Sequence, residues 1–321
     1  MNKAFAMALV GLVLGTGAVV WLGVGHIVHT VLKIGWTGLV YVVTWQLAVF
    51  VSLGLAWWIL VPNIPLPIVI WGRLVREAGK NCLPFSEVGG LIFSARVVTL
   101  SGVDLTEAGA TSIVDIICEG IALVPFLLFG VAMLLVRHPT SPLLLPLAFG
   151  LCGLVVGGGT AFLLRRKLAR LLRNSAARLL RSWVRDAPER AHAMERAIDR
   201  LFHRYRRIIG ASLVHLLCWF GGGGNVWITY HLLGAAPSLV DAFAIESISS
   251  AVLATSFIVP ARLGVQELTY VGVGRLFGMP AHLSLSLSLI RRARDIIIGA
   301  PSLLLWQGFE VRKLHRGDAD G

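Results

Sequence analysis

Six stretches of the chain stay apolar for the roughly 20 residues a helix needs to cross a bilayer. They are Phe5–Val24, Gly38–Val61, Thr111–Val136, Leu143–Leu164, Ile208–Leu233 and Leu239–Val259. The first follows Lys3 but lacks a small-residue cleavage site, so it is expected to be a retained span and not a signal peptide. Two further runs are too short to cross: Ser86–Ser101, carrying Glu87 and Arg96, and Leu263–Met279, carrying Glu267 and Arg275. Each is introduced by a proline, Pro84 or Pro260. Irregular backbone at membrane depth survives only where protein buries it or where it lines a water-filled cavity, so both are predicted to be re-entrant. A last apolar run, Leu283–Gln307, is interrupted by Arg291, Arg292, Arg294 and Asp295. The pattern predicts an all-α polytopic membrane protein of about seven to eight transmembrane helices with two re-entrant or half-span segments.

The two short regions resemble one another. Pro84 and Pro260 lie 176 positions apart, as do Gly102 and Gly278, and Glu119 and Asp295. An internal two-fold repeat is therefore expected, of the kind transporter folds use to build a shared site. The domains divide accordingly. Residues 1–164 form a first membrane half with its re-entrant region near 84–102. Residues 165–207 form a basic cytoplasmic arm, and 208–321 a second half with its re-entrant region near 259–279.

Composition agrees with the pattern: 56% of the 321 residues are hydrophobic and only 14% charged, against about 25% charged in a soluble domain. The net charge of +12 matters through its location. Fourteen Arg and Lys face four acids between Arg165 and Arg207. Positive charge beside spans stays in the cytoplasm, which puts the arm and the N-terminus inside. Leu168, Leu171, Leu172, Leu179 and Trp183 recur among the arginines at helical spacing. That spacing suits either a helix lying on an anionic membrane surface or a surface helix packed on other cytoplasmic loops. Spans on both sides argue against a nucleic-acid partner.

Charged residues inside the apolar runs are the candidate chemistry, because an ionisable group in a span marks a functional site by default. Four charges in the middle of Leu283–Gln307 would cost about 2.5–3.5 kcal/mol each facing lipid. Arg291, Arg292, Arg294 and Asp295 must instead sit at an interface or line a polar cavity; Arg291 and Asp295, four apart, can pair on one helix face. Glu267 follows the Pro260/Gly264 break and is expected to pair with Arg262 or Arg291, or to serve substrate or proton. Asp115 and Glu119 share a face and are expected to meet Arg96. Glu246 stands alone among serines and needs a cation, with Arg96 and Arg275 as candidates. Glu267, Arg291, Arg292, Arg294, Asp295, Glu246, Arg96 and Glu119 are thus the candidate substrate contacts. Pro84, Gly89, Pro260 and Gly264 are the candidate hinge and re-entrant positions.

Gly221–Gly224 is not followed by the Lys-Ser/Thr of a phosphate loop, so close helix packing or a hinge is expected. His215 and His231 flank it without ligand spacing and read as hydrogen-bonded helix-interface residues. Cys82, Cys118, Cys152 and Cys218 form neither a disulfide framework nor a metal motif. No metal, no cofactor and no catalytic set is proposed by the residues, so an enzyme is not expected.

Asn81-Cys-Leu-Pro-Phe with Gly89 resembles the first-half signature of the lysylphosphatidylglycerol-synthase transmembrane superfamily, also called the flippase-like domain family. Pro260…Leu-Gly-Val-Gln-Glu267, Leu276-Phe-Gly-Met-Pro280, Arg291-Arg-Ala-Arg and Pro301…Leu305-Trp-Gln307 resemble its hopanoid-biosynthesis-associated members. The chain departs from the family's Pro-Gly at Pro260-Ala261 and from its Glu-Gly-Gly at Glu267-Leu-Thr. The resemblance implies the lipid-translocating half of the superfamily, with no aminoacyl-transferase domain expected. It further implies a bacterial inner-membrane setting, membrane lipids such as hopanoids as partners, and hopanoid-pathway membrane enzymes as neighbours. A non-transporting scaffold for such enzymes is the alternative.

Overall fold

A computed structural model describes residues 24–82, 86–163, 187–255, 262 and 264–317, and all ordered elements among them are helices. The expected first span, Pro84, Pro260 and the amphipathic stretch 168–183 lie outside the described residues. The helices are α1 (Val24–Leu60), α2 (Leu66–Cys82), α3 (Ser86–Val98), α4 (Leu105–Arg137), α5 (Leu144–Leu163), α6 (Ala187–Phe202), α7 (Tyr205–Leu232), α8 (Leu239–Thr255), α9 (Val265–Leu276) and α10 (Ala281–Gly317).

Local chemistry sets the boundaries. Gly35 (φ 67°, ψ 170°) breaks α1 into two segments. Helix α3 ends in a short 3-10 turn closed by Gly102 at φ 84°, a left-handed conformation that glycine adopts without Cβ strain. Asp104 then caps α4, its carboxylate accepting from the Thr106 amide at 2.8 Å. Helix α9 ends the same way at Gly278 (φ 76°), with the Met279 amide reaching back to the Gly274 carbonyl at 2.9 Å.

The helices α1–α4 are matched in order by α7–α10. The 176-residue spacing extends beyond the three pairs read from sequence: Leu105 and Ala281 open α4 and α10, and Pro125 and Pro301 interrupt them. Trp45 and Gly221, also 176 apart, touch, the indole Nε1 donating to the Gly221 carbonyl at 2.7 Å. On either side of this contact α1 and α7 run antiparallel. Val42 meets Asn225, Val49 meets Cys218, and Ile59 meets Gly210. The second helix of each half packs on the fourth helix of the other. Trp71 of α2 stacks edge-on against Phe309 of α10 at 5.0 Å, and Ser247 of α8 donates to the Phe126 carbonyl of α4 at 2.8 Å.

Helices α5 and α6 connect the halves. Both lean on α4; α6 does so through Met194 against Gly109 and the buried Ala197. Its outer face carries the exposed Arg196 and Arg200.

Polarity is reversed relative to a soluble fold. Large apolar side chains face outward, among them Trp36 (75% exposed), Val136, Leu217 and Phe149, while Arg73, Asp115, Glu246 and Arg294 are buried. Water would oppose both arrangements and lipid favours both. Among the described residues, Ile34–Leu60 and Leu105–Arg137 are each long and apolar enough to cross a bilayer unaided.

Candidate functional site: two buried charge clusters

The first cluster joins three helices. Arg73, Arg76 and Glu77 lie on one face of α2 at i, i+3 and i+4, and Asp115 and Glu119 on one face of α4 at i and i+4. The two arginines bridge the two acids in parallel. Their Nη1 atoms donate to Asp115 Oδ2 at 2.7 and 2.8 Å, and their Nη2 atoms to Glu119 Oε2 at 3.0 Å each. Arg73 also pairs with Glu77 at 2.8 Å. From α7, His215 bonds Asp115 Oδ1 through Nε2 at 2.9 Å, and the Trp219 indole donates to the Glu119 carbonyl at 3.4 Å. The expected partner of these acids, Arg96, is instead exposed on α3, and the arginines that hold them come from α2.

The second cluster joins α8, α9 and α10. Arg291 grips Glu246 with both terminal nitrogens at 2.9 Å, the forked geometry that makes such pairs strong. The Tyr270 hydroxyl donates to the same carboxylate at 2.7 Å, and the guanidinium lies 5.0 Å from the centre of the Tyr270 ring. Arg292 holds Glu267, with Nη2 to Oε2 at 3.2 Å, and donates to the Arg262 carbonyl at 3.3 Å. Arg294 binds Asp295 at 2.7 Å and the Asn225 side-chain oxygen of α7 at 3.0 Å.

Several sequence expectations are corrected here. Glu246 meets Arg291 and Tyr270, while Arg275 is exposed. Asp295 pairs with Arg294 and Glu267 with Arg292. The arginines of α10 lie at neither a helix end nor a lipid face. They sit more than two turns inside α10, each neutralised by an acid, which removes the cost of facing lipid. Glu267 stands in the first turn of α9, just after the break formed by Arg262 (φ 52°) and Gly264 (φ 76°). Gly89 lies in α3 with open space around it.

The glycine run packs as expected. A Cβ on Gly223 would fall 2.5 Å from the Phe243 ring, and one on Gly222 would touch the Glu246 carboxylate at 3.2 Å. Helix α7 is thereby thinned where it passes the second cluster, and both clusters hang on it, through His215 and Asn225. An outer groove of about 310 Å³ between α1 and α7 is lined by Tyr41, Thr44, Trp45, Ala48, Ile228 and Leu232 and holds none of these charges. No group of metal-ligating side chains is present among the described residues.

Sequence reasoning missed α2 as an element and with it Arg73, Arg76 and Glu77. The signal was available: Arg73, Arg76, Glu77 and Lys80 at i, i+3, i+4 and i+7 make one charged helix face. The 176-residue shift also sets this segment opposite Leu239–Thr255.

The family described as Lysylphosphatidylglycerol synthase TM region matches residues 8–301. The chain belongs to that family. It is therefore an integral membrane protein of the flippase-like class, and the reversed polarity of the fold has its explanation. No curated protein and no solved structure matches the chain.

Proposed function

We propose that this family member is a translocase for an amphiphilic lipid in the bacterial inner membrane. Its two antiparallel halves form an inverted repeat that exposes a polar path to each side in turn. The observation that carries this reading is the placement of the charges. Six ionisable side chains of α8–α10 form ion pairs with side-chain exposures of only 4–18%. Buried pairs of this kind add little to stability over apolar residues of the same size, so their presence calls for a role. In this arrangement the charges bind one another, as in a closed state. A lipid head group entering beside Arg291, Arg292 and Arg294 would compete with Glu246, Glu267 and Asp295, while its tail stays in the surrounding bilayer.

Orientation supports the same reading. The basic arm inside makes α1 run toward the cytoplasm and α7 away from it, and the two helices do pack antiparallel. The α2–α3 and α8–α9 hairpins then enter from opposite faces, and the first apolar run, α1, α4, α5, α7 and α10 make six full crossings, fewer than the seven to eight that counted Leu239–Val259 as a span. Inverted repeats around a central polar site are a recurrent transporter design. The finer substrate, a hopanoid or another isoprenoid or polar lipid, rests on the resemblance of the last third of the chain. No chemical step is part of this reading.

Flipping of fluorescent lipids in liposomes reconstituted with the pure protein tests it. Movement above the protein-free rate, reduced several-fold in Glu246→Gln and Glu267→Gln, is the expected result. Flipping of none of a panel of phospholipids and hopanoids removes the proposal. The alternative, a scaffold for lipid-modifying enzymes, predicts that deleting residues 165–207 abolishes partner capture.

A further inference from the structure

Helix α6 has two unlike faces. Met194, Ala197, Ile198 and Leu201 share one side and pack inward, Met194 against Gly109 near the start of α4. The opposite side carries His192, Arg196, Arg200 and His203 at i, i+4, i+8 and i+11, all exposed. Arg204 and Arg206, also exposed, continue this row through the turn into α7. Arg207 follows, half-buried, with its Nη1 enclosed and without a hydrogen-bond acceptor among the described residues. A buried guanidinium nitrogen is a charged donor, and leaving it without an acceptor is unfavourable. The first turn of α7 has no side-chain cap, so its backbone amides also point at this place.

Positive charge is in excess here. Among the described side chains, five arginines (Arg196, Arg200, Arg204, Arg206 and Arg207) stand against Glu195 and Asp199 on one flank, and Glu195 lies 3.8 Å from His192. Asp104 and Glu107 belong to the start of α4, behind the inner face of α6. The neighbouring surface is made for lipid. Helix α7 opens with the exposed Tyr205 and then turns Ile209, Leu213 and Leu217 outward in steps of four. An apolar stripe that starts beside the arginines sets them at head-group level, where an aromatic ring and long basic side chains are at home. By the charge rule this is the cytoplasmic leaflet, whose anionic lipids attract basic segments.

We propose that the outer face of α6 and the first turn of α7 form a docking surface for an anionic phospholipid. Its phosphate is held by Arg204, Arg206 and Arg207, and supplies the acceptor that Arg207 lacks. Guanidinium forks match phosphate oxygens in shape as well as charge. The acyl chains lie along Ile209, Leu213 and Leu217, while Arg196 and Arg200 meet the head groups of the adjoining bilayer surface. Helix α6 is thereby clamped between the membrane surface and α4. The docking surface depends on the membrane setting of the family and not on the translocase reading.

Native mass spectrometry of the full chain in neutral detergent, titrated with phosphatidylglycerol, phosphatidylcholine or inorganic phosphate, tests it. Phosphatidylglycerol should bind more tightly than phosphatidylcholine. One arginine beside an anionic head group is worth about fivefold in affinity, so the double variant Arg204→Gln/Arg206→Gln should lose about 25-fold. Arg207→Gln should lose at least about fivefold. Arg137→Gln, at the far end of α4, should leave the preference as it is. Equal binding of the two lipids overturns the proposal. So does unchanged binding in Arg207→Gln, the outcome expected if an acid outside the described residues holds its Nη1. Inorganic phosphate that binds as tightly as the lipid removes the lipid as occupant. Should the variants not fold, the wild type decides: raising NaCl from about 0.1 to 0.5 M should weaken phosphatidylglycerol several-fold and spare phosphatidylcholine, and a preference indifferent to salt refutes the docking surface. Each of these failures leaves the flipping assay and the translocase reading untouched, and absence of flipping leaves the docking surface in place.

Discussion

The Glu246–Arg291 pair gives the sharpest test of the second cluster. Glu246 has a side chain 6% exposed and Arg291 one 15% exposed, with two bonds between them at 2.9 Å. Glu246→Gln keeps the shape but strands the guanidinium, and Arg291→Gln strands the carboxylate with Tyr270 as its remaining donor. Removing one partner of a buried pair costs about 3–5 kcal/mol. The partial exposure of Arg291 places Glu246→Gln near the lower end, and the deeper Glu246 places Arg291→Gln nearer the upper. The double variant strands neither charge and should recover about 0.5–3 kcal/mol relative to the sum of the singles. Reversible unfolding of the purified protein in mixed micelles, followed by circular dichroism, measures all four corners of the cycle. Losses that add within about 0.5 kcal/mol would show that the two side chains do not interact, and the second cluster would lose its centre.

Four further outcomes follow from the same geometry. Arg73→Lys should destabilise by about 3 kcal/mol in that micelle assay, because one ammonium cannot span Asp115 and Glu119 as the guanidinium does; a loss below the error of the measurement counts against the parallel bridge. By contrast, Arg137→Ala, whose partner Asp241 is 3.2 Å away but whose own side chain is 54% exposed, should shift stability by at most about 1 kcal/mol. Gly130→Ala places a Cβ 2.7 Å from that of Ser247 and should cost about 1–3 kcal/mol, and adding Ser247→Gly should return part of it; no rescue would mean that α4 and α8 do not approach there. Gly223→Ala, against the Phe243 ring, should likewise destabilise by about 1–3 kcal/mol, whereas Gly150→Ala, in open space on α5, should stay within about 0.5 kcal/mol.

What the chain alone determined is whatever depends on one segment at a time. Apolar length marked α5 and α7 close to their observed limits, along with the start of α8 and the ends of α1 and α4, because a span is a local property of about 20 consecutive residues; α1 and α4 begin earlier, at Val24 and Leu105, than their apolar runs at Gly38 and Thr111. The glycine run read as a packing surface, since four residues without side chains cannot fill space. The 176-residue spacing was legible from three pairs because a repeat keeps its sequence offset whatever the packing. Helix α2 escaped notice because its charges mimic a cytoplasmic loop when its partners on α4 are out of view. Who pairs with whom was decided by tertiary structure. Asp115 had its arginines 39 and 42 residues away, Glu246 its arginine 45 away, and His215 its carboxylate 100 away. A buried charge requires a partner, and local sequence states that requirement; only the crossing of α2, α4 and α7, and of α8, α9 and α10, selects which partner comes within reach.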